Sequence, residues 1–429
     1  MTRSILILSL AASALTLSAK SQDVPTLIAT PSVGFQLPQI GGEWSYAISA
    51  SQTVIVGYDG DSSGGTATSS NISGDFAYAS SSLTHPTSIV YSGGYLGSES
   101  SELPSSSFQN LALSQEFRGH HWDVIASDTV SYLPQSPVGG LSGVPGIGDL
   151  GVVPITIGAT FGPGILTNYD TRVSNITGVT VSRELTGSTS VQASGNYAIQ
   201  RFLDSNGEDY SGFNSNQTEG SAGITHRINA RNSFGVNYLY SKFTYVSQPF
   251  SFTSNGVNFD YTYRWTHKLT FDVSLGPQFS DSTTFSSTAT TLAASLALTY
   301  LGERSSAALS YVRGTNAGSG VVEGALSDSV GFTAQRRLNQ VWNVAGSANY
   351  THTQSLPTLV FQAFDVSSEV VAGQISRGFG RSFSAFASYT LEKQNTSGSS
   401  LTSLTFTGLQ QVFGFGVTYS PATHHLGRP

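Results

Sequence analysis

Few residues in this chain have the types and spacing that could support chemistry. The segment at 146–151, GIGDLG, matches the GxGxxG pattern that binds a pyrophosphate between a strand and a helix. Pro154 follows it and no helical periodicity is present, so we reject a dinucleotide site. Histidine pairs occur at 120–121 and 424–425 without a third ligand, which is typical of solvated turn and tail residues rather than of a metal site.

An enzymatic reading has equally little support. A catalytic site needs a nucleophile, a base and an orienting group brought together, and serines are so abundant here that one near a histidine carries no information. The chain has no cysteine, which excludes disulfide frameworks and thiolate metal sites. We therefore expect no enzymatic activity, no cofactor and no metal. The net charge of −7 argues against nucleic acid as a partner.

The composition excludes several classes of protein. Charged residues make up 10% of the 429, against about 25% in soluble domains. Aromatic residues reach 11%, which is more than a disordered chain carries. Beyond the first residues no apolar run is long enough for a membrane-spanning helix. What remains is a charge-poor chain in which apolar and polar residues are finely interleaved.

The N-terminus is typical of an export signal. Arg3 precedes an apolar run from Ile5 to Leu17, within the ~7–15 residues of a signal-peptide core, and small residues near Ala19 offer a cleavage site. We expect residues 1–19 to be a signal peptide and residues 20–42 to form an N-terminal extension or a small plug. The mature chain would then be secreted or would form an outer-membrane barrel.

The dominant pattern beyond residue 40 is strict alternation of apolar and polar residues. In the segment 257–265, VNFDYTYRW, the odd positions are apolar or aromatic and the even positions are polar. The segment 269–276, LTFDVSLG, repeats this after three intervening residues, which predicts a hairpin. Similar segments recur around residues 292–300, 342–350 and 413–420. Each is about nine to twelve residues long, enough to cross a bilayer as a tilted strand.

Short turns recur at nearly regular spacing along the chain. Their centres are predicted near His85, His120, Gly187, Ala230, His267, Glu303, Leu338 and Gly380. Eight short turns imply nine strand pairs over residues 43–420, about 18 strands (16–18), with short periplasmic turns and longer outer loops. Propeller blades or a solenoid could also repeat at this period, but only alternation and spacing recur here. The sequence therefore predicts an all-β fold, a transmembrane antiparallel up-and-down β-barrel.

Aromatic residues mark one end of the predicted strands. All four tryptophans flank short turns or begin a strand, and the last strand ends on an aromatic residue; these residues are Trp44, Trp122, Trp265, Trp342 and Tyr419. Amphipathic rings favour the membrane–water interface. We expect these five to form part of an aromatic girdle.

With these features the chain resembles Gram-negative outer-membrane β-barrel proteins, specifically porin-like channels. The resemblance covers roughly residues 43–420 and implies location in the cell outer membrane. Barrels of this kind usually end on an aromatic residue, whereas here residues 421–429 form a further C-terminal tail. The resemblance also implies that outer-membrane lipid and small solutes are partners, and it is compatible with a homo-oligomer.

One interval between turns is much longer than the others because of residues 134–175. This segment, the third long loop, is rich in Gly, Val, Ile and Leu, and its charged residues are Asp149, Asp170 and Arg172. Long loops in compact folds are usually functional, and in porins the third loop folds inward and narrows the channel. By that resemblance the segment is a candidate constriction. An extra surface hairpin or an oligomer contact is the alternative.

Charges within strands are expected to face the lumen, since Arg or Lys facing lipid costs up to about 2–4 kcal/mol at the midplane. Asp260, Arg264 and Asp272 follow this rule, and Arg227 lies on the polar face of a nearby strand. We expect these four to line the pore; a structural salt ladder is the alternative. Asp128 breaks the rule, and either a bulge or a contact with another protomer would explain it.

These expectations lead to a passive diffusion channel for small hydrophilic solutes. A non-transport outer-membrane protein, an adhesin or scaffold, is an alternative supported by serine-rich stretches around Ser63 and Ser101. A transporter of hydrophobic substrates with an N-terminal hatch is a second alternative.

Overall fold

The strands are present almost wherever alternation predicts them. The computed structural model describes residues 43–57, 65–80, 82, 84–98, 105–133, 172–203, 214–246, 251–283, 288–316, 325–356, 365–397, 407–421 and 424–425. The expected signal peptide, the N-terminal extension and residues 134–171 of the long third loop lie outside these residues. The described part of the chain holds no helix of the length and apolar character that crossing a membrane requires.

Eighteen long strands and one short bridge make up the fold. They are β1 (Glu43–Val56), β2 (Thr66–Ala79), β3 (Thr87–Ser98), β4 (Ser106–Arg118), β5 (Trp122–Leu133), β6 (Arg172–Thr186), β7 (Thr189–Phe202), β8 (Ser215–Arg227), β9 (Asn232–Tyr245), β10 (Ser251–Arg264), β11 (Leu269–Ser282), β12 (Ala289–Leu301), β13 (Ser305–Asn316), β14 (Ala325–Arg337), β15 (Trp342–Ser355), β16 (Asp365–Phe379), β17 (Phe383–Ser397), β18 (Gly408–Tyr419) and β19 (His424–His425).

Each long strand pairs antiparallel with the next, and the last pairs with the first. The closing ladder runs from Ile48 opposite Tyr419 to Val56 opposite Gln411. The short β19 adds a bridge to the start of β1. The prediction of a closed up-and-down barrel of about 18 strands is thus confirmed.

The eight short turns lie where the sequence predicts them. They occupy 80–86, 119–121, 187–188, 228–231, 265–268, 302–304, 338–341 and 380–382. Several are closed by a side-chain oxygen that accepts backbone N–H groups, as short polar side chains do in turns. The Asn339 Oδ1 atom accepts from the N–H of Val341 at 2.9 Å and of Trp342 at 3.0 Å. Gly380 adopts a φ of 66°, a left-handed conformation that glycine reaches without strain.

The wall has two different faces. Large apolar side chains on the outer face are strongly exposed, as at Ile72 (65%) and Phe259 (52%). The alternate residues point inward and are mostly Ser, Thr, Asn and Gly, for example Ser73 and Asn258. An apolar exterior of this extent is stable only against lipid. The strands therefore form a membrane-spanning wall.

The expectation that every charge in a strand faces the lumen is wrong near the long loops. Arg313 and Asp328 are neighbours on the outer face and form an ion pair with an N–O distance of 2.9 Å. The hydroxyl of Tyr311 donates to the same carboxylate at 2.7 Å. Both charges lie within four residues of the long-loop ends of their strands, where a lipid-facing charge costs only about 0–1 kcal/mol. Pairing lowers that cost further.

Asp128 also faces outward, and the ladders on both sides of it are continuous, so the bulge considered from the sequence is absent there. Its carboxylate accepts hydrogen bonds from Asn175 Nδ2 at 3.0 Å and Thr177 Oγ1 at 2.5 Å on β6. These local donors partly compensate the carboxylate for the loss of water.

Two adjacent residues of β13 test the assignment of faces. Leu309 faces lipid with 47% of its surface exposed, and Ser310 faces the lumen. Replacing Leu309 by Arg should lower the free energy of unfolding from a bilayer by about 2–4 kcal/mol. Ser310→Arg should cost less than about 1 kcal/mol because an aqueous lumen can hydrate the guanidinium. Denaturant titration of both variants in liposomes measures this; equal losses would contradict the assignment.

Candidate pore-lining site

The four charged residues proposed to line the pore lie on three strands of one sector, in which β9 separates β8 from β10. Arg227 ends β8, Asp260 and Arg264 lie on β10, and Asp272 lies on β11. All four occupy inward positions, because each alternates with exposed apolar residues of the outer face such as Ile224. They also lie near the short turns, so they line one sector of the barrel opening at that end, which we call the short-turn mouth.

Register and hydrogen bonds fix their arrangement. Arg264 is opposite Thr270 and diagonal to Asp272. The Thr262 hydroxyl donates to Asp272 Oδ1 at 2.6 Å, which fixes that carboxylate against the wall. Arg227 donates from Nη2 to the carbonyl oxygen of Gly187 at 2.7 Å, which holds its guanidinium at the mouth. Two cations and two carboxylates thus share one polar surface.

Sequence reasoning missed two asparagines in the same sector. Asn237 on β9 and Asn258 on β10 are inward-facing and only 5% and 4% exposed. A Cβ atom added at Gly223 would lie 2.8 Å from Asn237 Oδ1, and one added at Gly276 would lie 2.6 Å from Asn258 Oδ1. The two glycines therefore leave the room along the wall that both amides occupy. An asparagine opposite a glycine across a predicted ladder is the signal that could have identified them.

The long-loop end of the same sector is apolar instead. Phe243 and Tyr245 of β9 and Phe252 of β10 point inward and form a buried cluster with Leu356, which follows β15. Strands β10 and β15 are five positions apart around the barrel, so this contact brings separated parts of the wall together. Apolar side chains therefore project into the lumen at this end.

A network of polar hydrogen bonds lies inside the barrel near this cluster. The end of β13 turns inward past β12, and the N–H of Thr315 donates to Gln278 Oε1 at 2.9 Å. Gln278 Nε2 in turn donates to Ser254 Oγ at 2.8 Å, and the Ser280 and Thr315 hydroxyls are 2.8 Å apart. These bonds fix β10, β11 and β13 to one another inside the barrel.

The inner wall on the opposite side is shielded from water near the long loops. Inward-facing Thr53, Glu392 and Gln394 have no exposed surface, and Thr353 and Gln410 are 1% exposed. Both carboxylate oxygens of Glu392 lack a hydrogen-bond partner. Arg227 and Arg264, by contrast, are exposed. Among the described residues, the exposed charges of the inner wall therefore include those of the Arg227–Arg264 sector, whereas the wall around Glu392 is shielded.

The structure places the other predicted site residues only in part. Asp149 and Asp170, expected in the constriction, lie outside the described residues. Arg172 was expected in the same loop and is instead the first residue of β6, because the β5–β6 ladder extends to its pairing with Leu133. All five predicted interface aromatics lie at the short-turn end, three of them as the first or last residues of strands; they are Trp44, Trp122, Trp265, Trp342 and Tyr419.

No group of histidine, aspartate and glutamate that could hold a metal ion occurs in the described part of the chain. The rings of His120 and His121 lie 4.3 Å apart in the turn before β5. Neither has a third ligand there, so the site residues of interest are those of the lumen.

Comparisons with known proteins give fold-level likenesses only. No family model and no curated protein sequence matches the chain. Solved structures with similar folds include the ferric citrate transporter FecA, at 12% identity and a TM-score of 0.44 over 90% of this chain. The chain spans 65% of the length of FecA. Two Pseudomonas aeruginosa proteins are also similar: OccK2 (OpdF) in complex with glucuronate has 9% identity and a TM-score of 0.44, covering 88% of this chain and 98% of its own. OpdL has 10% identity and a TM-score of 0.43, covering 90% of this chain and 99% of its own.

The barrel itself establishes the class of protein without those likenesses. It is closed, has an even number of strands, alternates short turns with longer connections and exposes an apolar exterior. These are the properties of Gram-negative outer-membrane barrels. The chain forms a closed β-barrel of the outer-membrane type.

Water access to the site can be measured because the chain has no native cysteine. Thr262 points into the lumen, so the Thr262→Cys variant should react quickly with a membrane-impermeant thiol reagent in intact membranes. Tyr261→Cys, the adjacent lipid-facing residue, should react slowly because thiolates do not form in hydrocarbon. Labelling followed by mass spectrometry gives both rates. Similar rates at the two positions would contradict an aqueous lumen at this level.

Proposed function

We propose that the protein is a channel for passive diffusion of small hydrophilic solutes. The observation that carries this proposal is the polar, water-exposed inner wall at the short-turn mouth, lined by Arg227, Arg264 and small hydroxyl side chains. Barrels of about 16–18 strands leave an aqueous channel, because side chains of this size do not fill so wide a lumen.

The charge distribution supports weak ionic selectivity. Arg227 and Arg264 lie in the same sector of the inner wall as Asp260 and Asp272, so neither sign dominates there. A solute that passes this surface meets paired donors and acceptors rather than a ring of one charge. Neutral, hydroxyl-rich solutes and small ions of both signs would satisfy these groups.

Planar-bilayer recordings test the proposal directly. Wild-type protein should give steady open steps with a cation-to-anion preference near one. Arg227→Ala combined with Arg264→Ala should shift the preference toward cations, because the two carboxylates remain. The control variant is Arg304→Ala, because Arg304 is an exposed arginine in the turn before β13. This variant should leave selectivity unchanged. Conductance steps with unaltered selectivity in the double variant would contradict the assignment of Arg227 and Arg264 to the pore wall.

A silent barrel is the second candidate function, and the shielded inner wall around Glu392 favours it. A protein of this kind would act through its outer loops, as an adhesin or scaffold does. Bilayers that contain folded protein but show no conductance would support it over the channel.

The apolar cluster at the long-loop end gives a further test of the channel. If the cluster that contains Phe243 and Phe252 forms the narrowest part of the lumen, Phe252→Ser should increase single-channel conductance. The reason is that a hydrophobic constriction hinders water and ions. Phe279→Ser is the matched control, since Phe279 faces lipid with 41% of its surface exposed. Equal conductance in wild type and Phe252→Ser would place the narrowest point elsewhere.

A further inference from the structure

Seven basic residues surround the outside of the barrel at the short-turn end. Three occupy outward positions within four residues of a turn, and four lie in the turns; together they are Arg183, Arg231, Lys268, Arg304, Arg336, Arg377 and Arg381. We call this set the basic rim. It extends from β6 to β17, around about two thirds of the barrel, and six of its seven members are exposed.

The basic rim is not neutralised by the protein. Glu303 is the one acidic residue at outward or turn positions of this end in the described part of the chain. Within the same described residues, none of the seven forms an ion pair. Glu116 pairs with Arg118, but both of these face the lumen. The rim therefore presents a positive surface to whatever surrounds the barrel at this level.

The opposite end of the barrel differs. Within five residues of the long loops, the outward strand positions of the described chain carry four basic and four acidic residues. Several of these are paired, as Arg313 is with Asp328 and His352 is with Asp365. An uncompensated positive charge is thus a property of the short-turn end alone.

Two arginines of the rim are held against aromatic rings. The Cζ atom of Arg183 lies 4.8 Å from the centre of the Trp122 ring. The Cζ atom of Arg377 lies 5.3 Å from the ring centre of Trp342 and 5.0 Å from that of Phe379. Tryptophan favours the membrane–water interface, so each stacked guanidinium is placed at the level of lipid headgroups. A cation–π contact of this kind does not use up the N–H donors of a guanidinium, which can bind phosphate oxygens in pairs.

We propose that the basic rim binds the phosphate groups of anionic phospholipids in the adjacent leaflet, with Trp122–Arg183 and Trp342–Arg377 as two headgroup sites. Charge complementarity and the aromatic platforms favour a lipid over an acidic soluble protein, because the stacked arginines lie beside the lipid-facing wall. Short turns face the periplasm in outer-membrane barrels, so the leaflet concerned is the inner, phospholipid leaflet. The binding does not depend on whether the barrel conducts solutes.

Quenching of tryptophan fluorescence by brominated lipids tests this proposal. Full-length protein is reconstituted in liposomes in which either phosphatidylglycerol or phosphatidylcholine carries the brominated chains, and the ratio of their association constants is measured. Wild-type protein should prefer phosphatidylglycerol several-fold, and the preference should decrease as salt is raised. Removing Arg183 and Arg377 together, as R183Q and R377Q, should reduce the preference, each arginine contributing about fivefold or less.

The matched control is R313Q combined with D328N, which removes a paired charge from the outer face at the other end and should leave the preference unchanged. Circular dichroism and resistance to unfolding in sodium dodecyl sulfate confirm that each variant is folded. A wild-type ratio of one would overturn the proposal, as would an unchanged ratio in folded R183Q/R377Q. Loss of the preference in the control variant would also overturn it, because the sites would then not be at the short-turn end. Salt dependence of the wild-type ratio tests the proposal even if the double variant does not fold.

Discussion

The structure depends on one constraint: hydrocarbon offers no hydrogen-bond partners to the backbone. A sheet can cross a membrane only if every edge is paired, and here that condition is met by the ladder between β1 and β18. Aromatic packing supports the same seam, since the Tyr419 ring lies 5.0 Å from that of Phe383 and 6.4 Å from that of Tyr46. Closure requires antiparallel neighbours throughout, so strands alternate in direction and short turns collect at one end.

Closure also explains the scarcity of charge noted in the composition. A residue of the wall faces either lipid or lumen, and charge is costly on the first side except near the membrane surfaces. The outward charges lie mostly toward the ends of their strands, as Arg313 and Asp328 do near the long loops and Arg183 and Arg377 do near the short turns. Asp128 is accommodated by donors from the adjacent strand rather than by a change of register.

The two ends of the barrel therefore have different chemistry inside and outside. At the short-turn end the inner wall around Arg227 and Arg264 is polar and exposed, and the outer surface is basic. At the long-loop end the inner wall carries an aromatic cluster and shielded polar groups, and the outer charges are balanced. The proposed diffusion channel and the proposed lipid contacts both use the short-turn end.

The sequence by itself determined the features that depend on local geometry. Side chains of a strand alternate between faces, so the outward position of Phe259 and the inward position of Asp260 followed from the order of residues alone. Turn centres such as Gly380 were equally local, and the spacing of eight turns predicted the strand number.

Only the tertiary structure decided what depends on register and closure. The start of β6 at Arg172 is set by its pairing with Leu133, and the hydrogen bonds of Asp128 are set by the register of β6. The contact of Phe252 with Leu356 joins strands far apart in sequence, and the stacking of Arg377 on Trp342 requires β15 and β16 to pair in one register. Period-two alternation assigns faces but says nothing about which residue lies opposite, and closing the barrel is what fixes that choice.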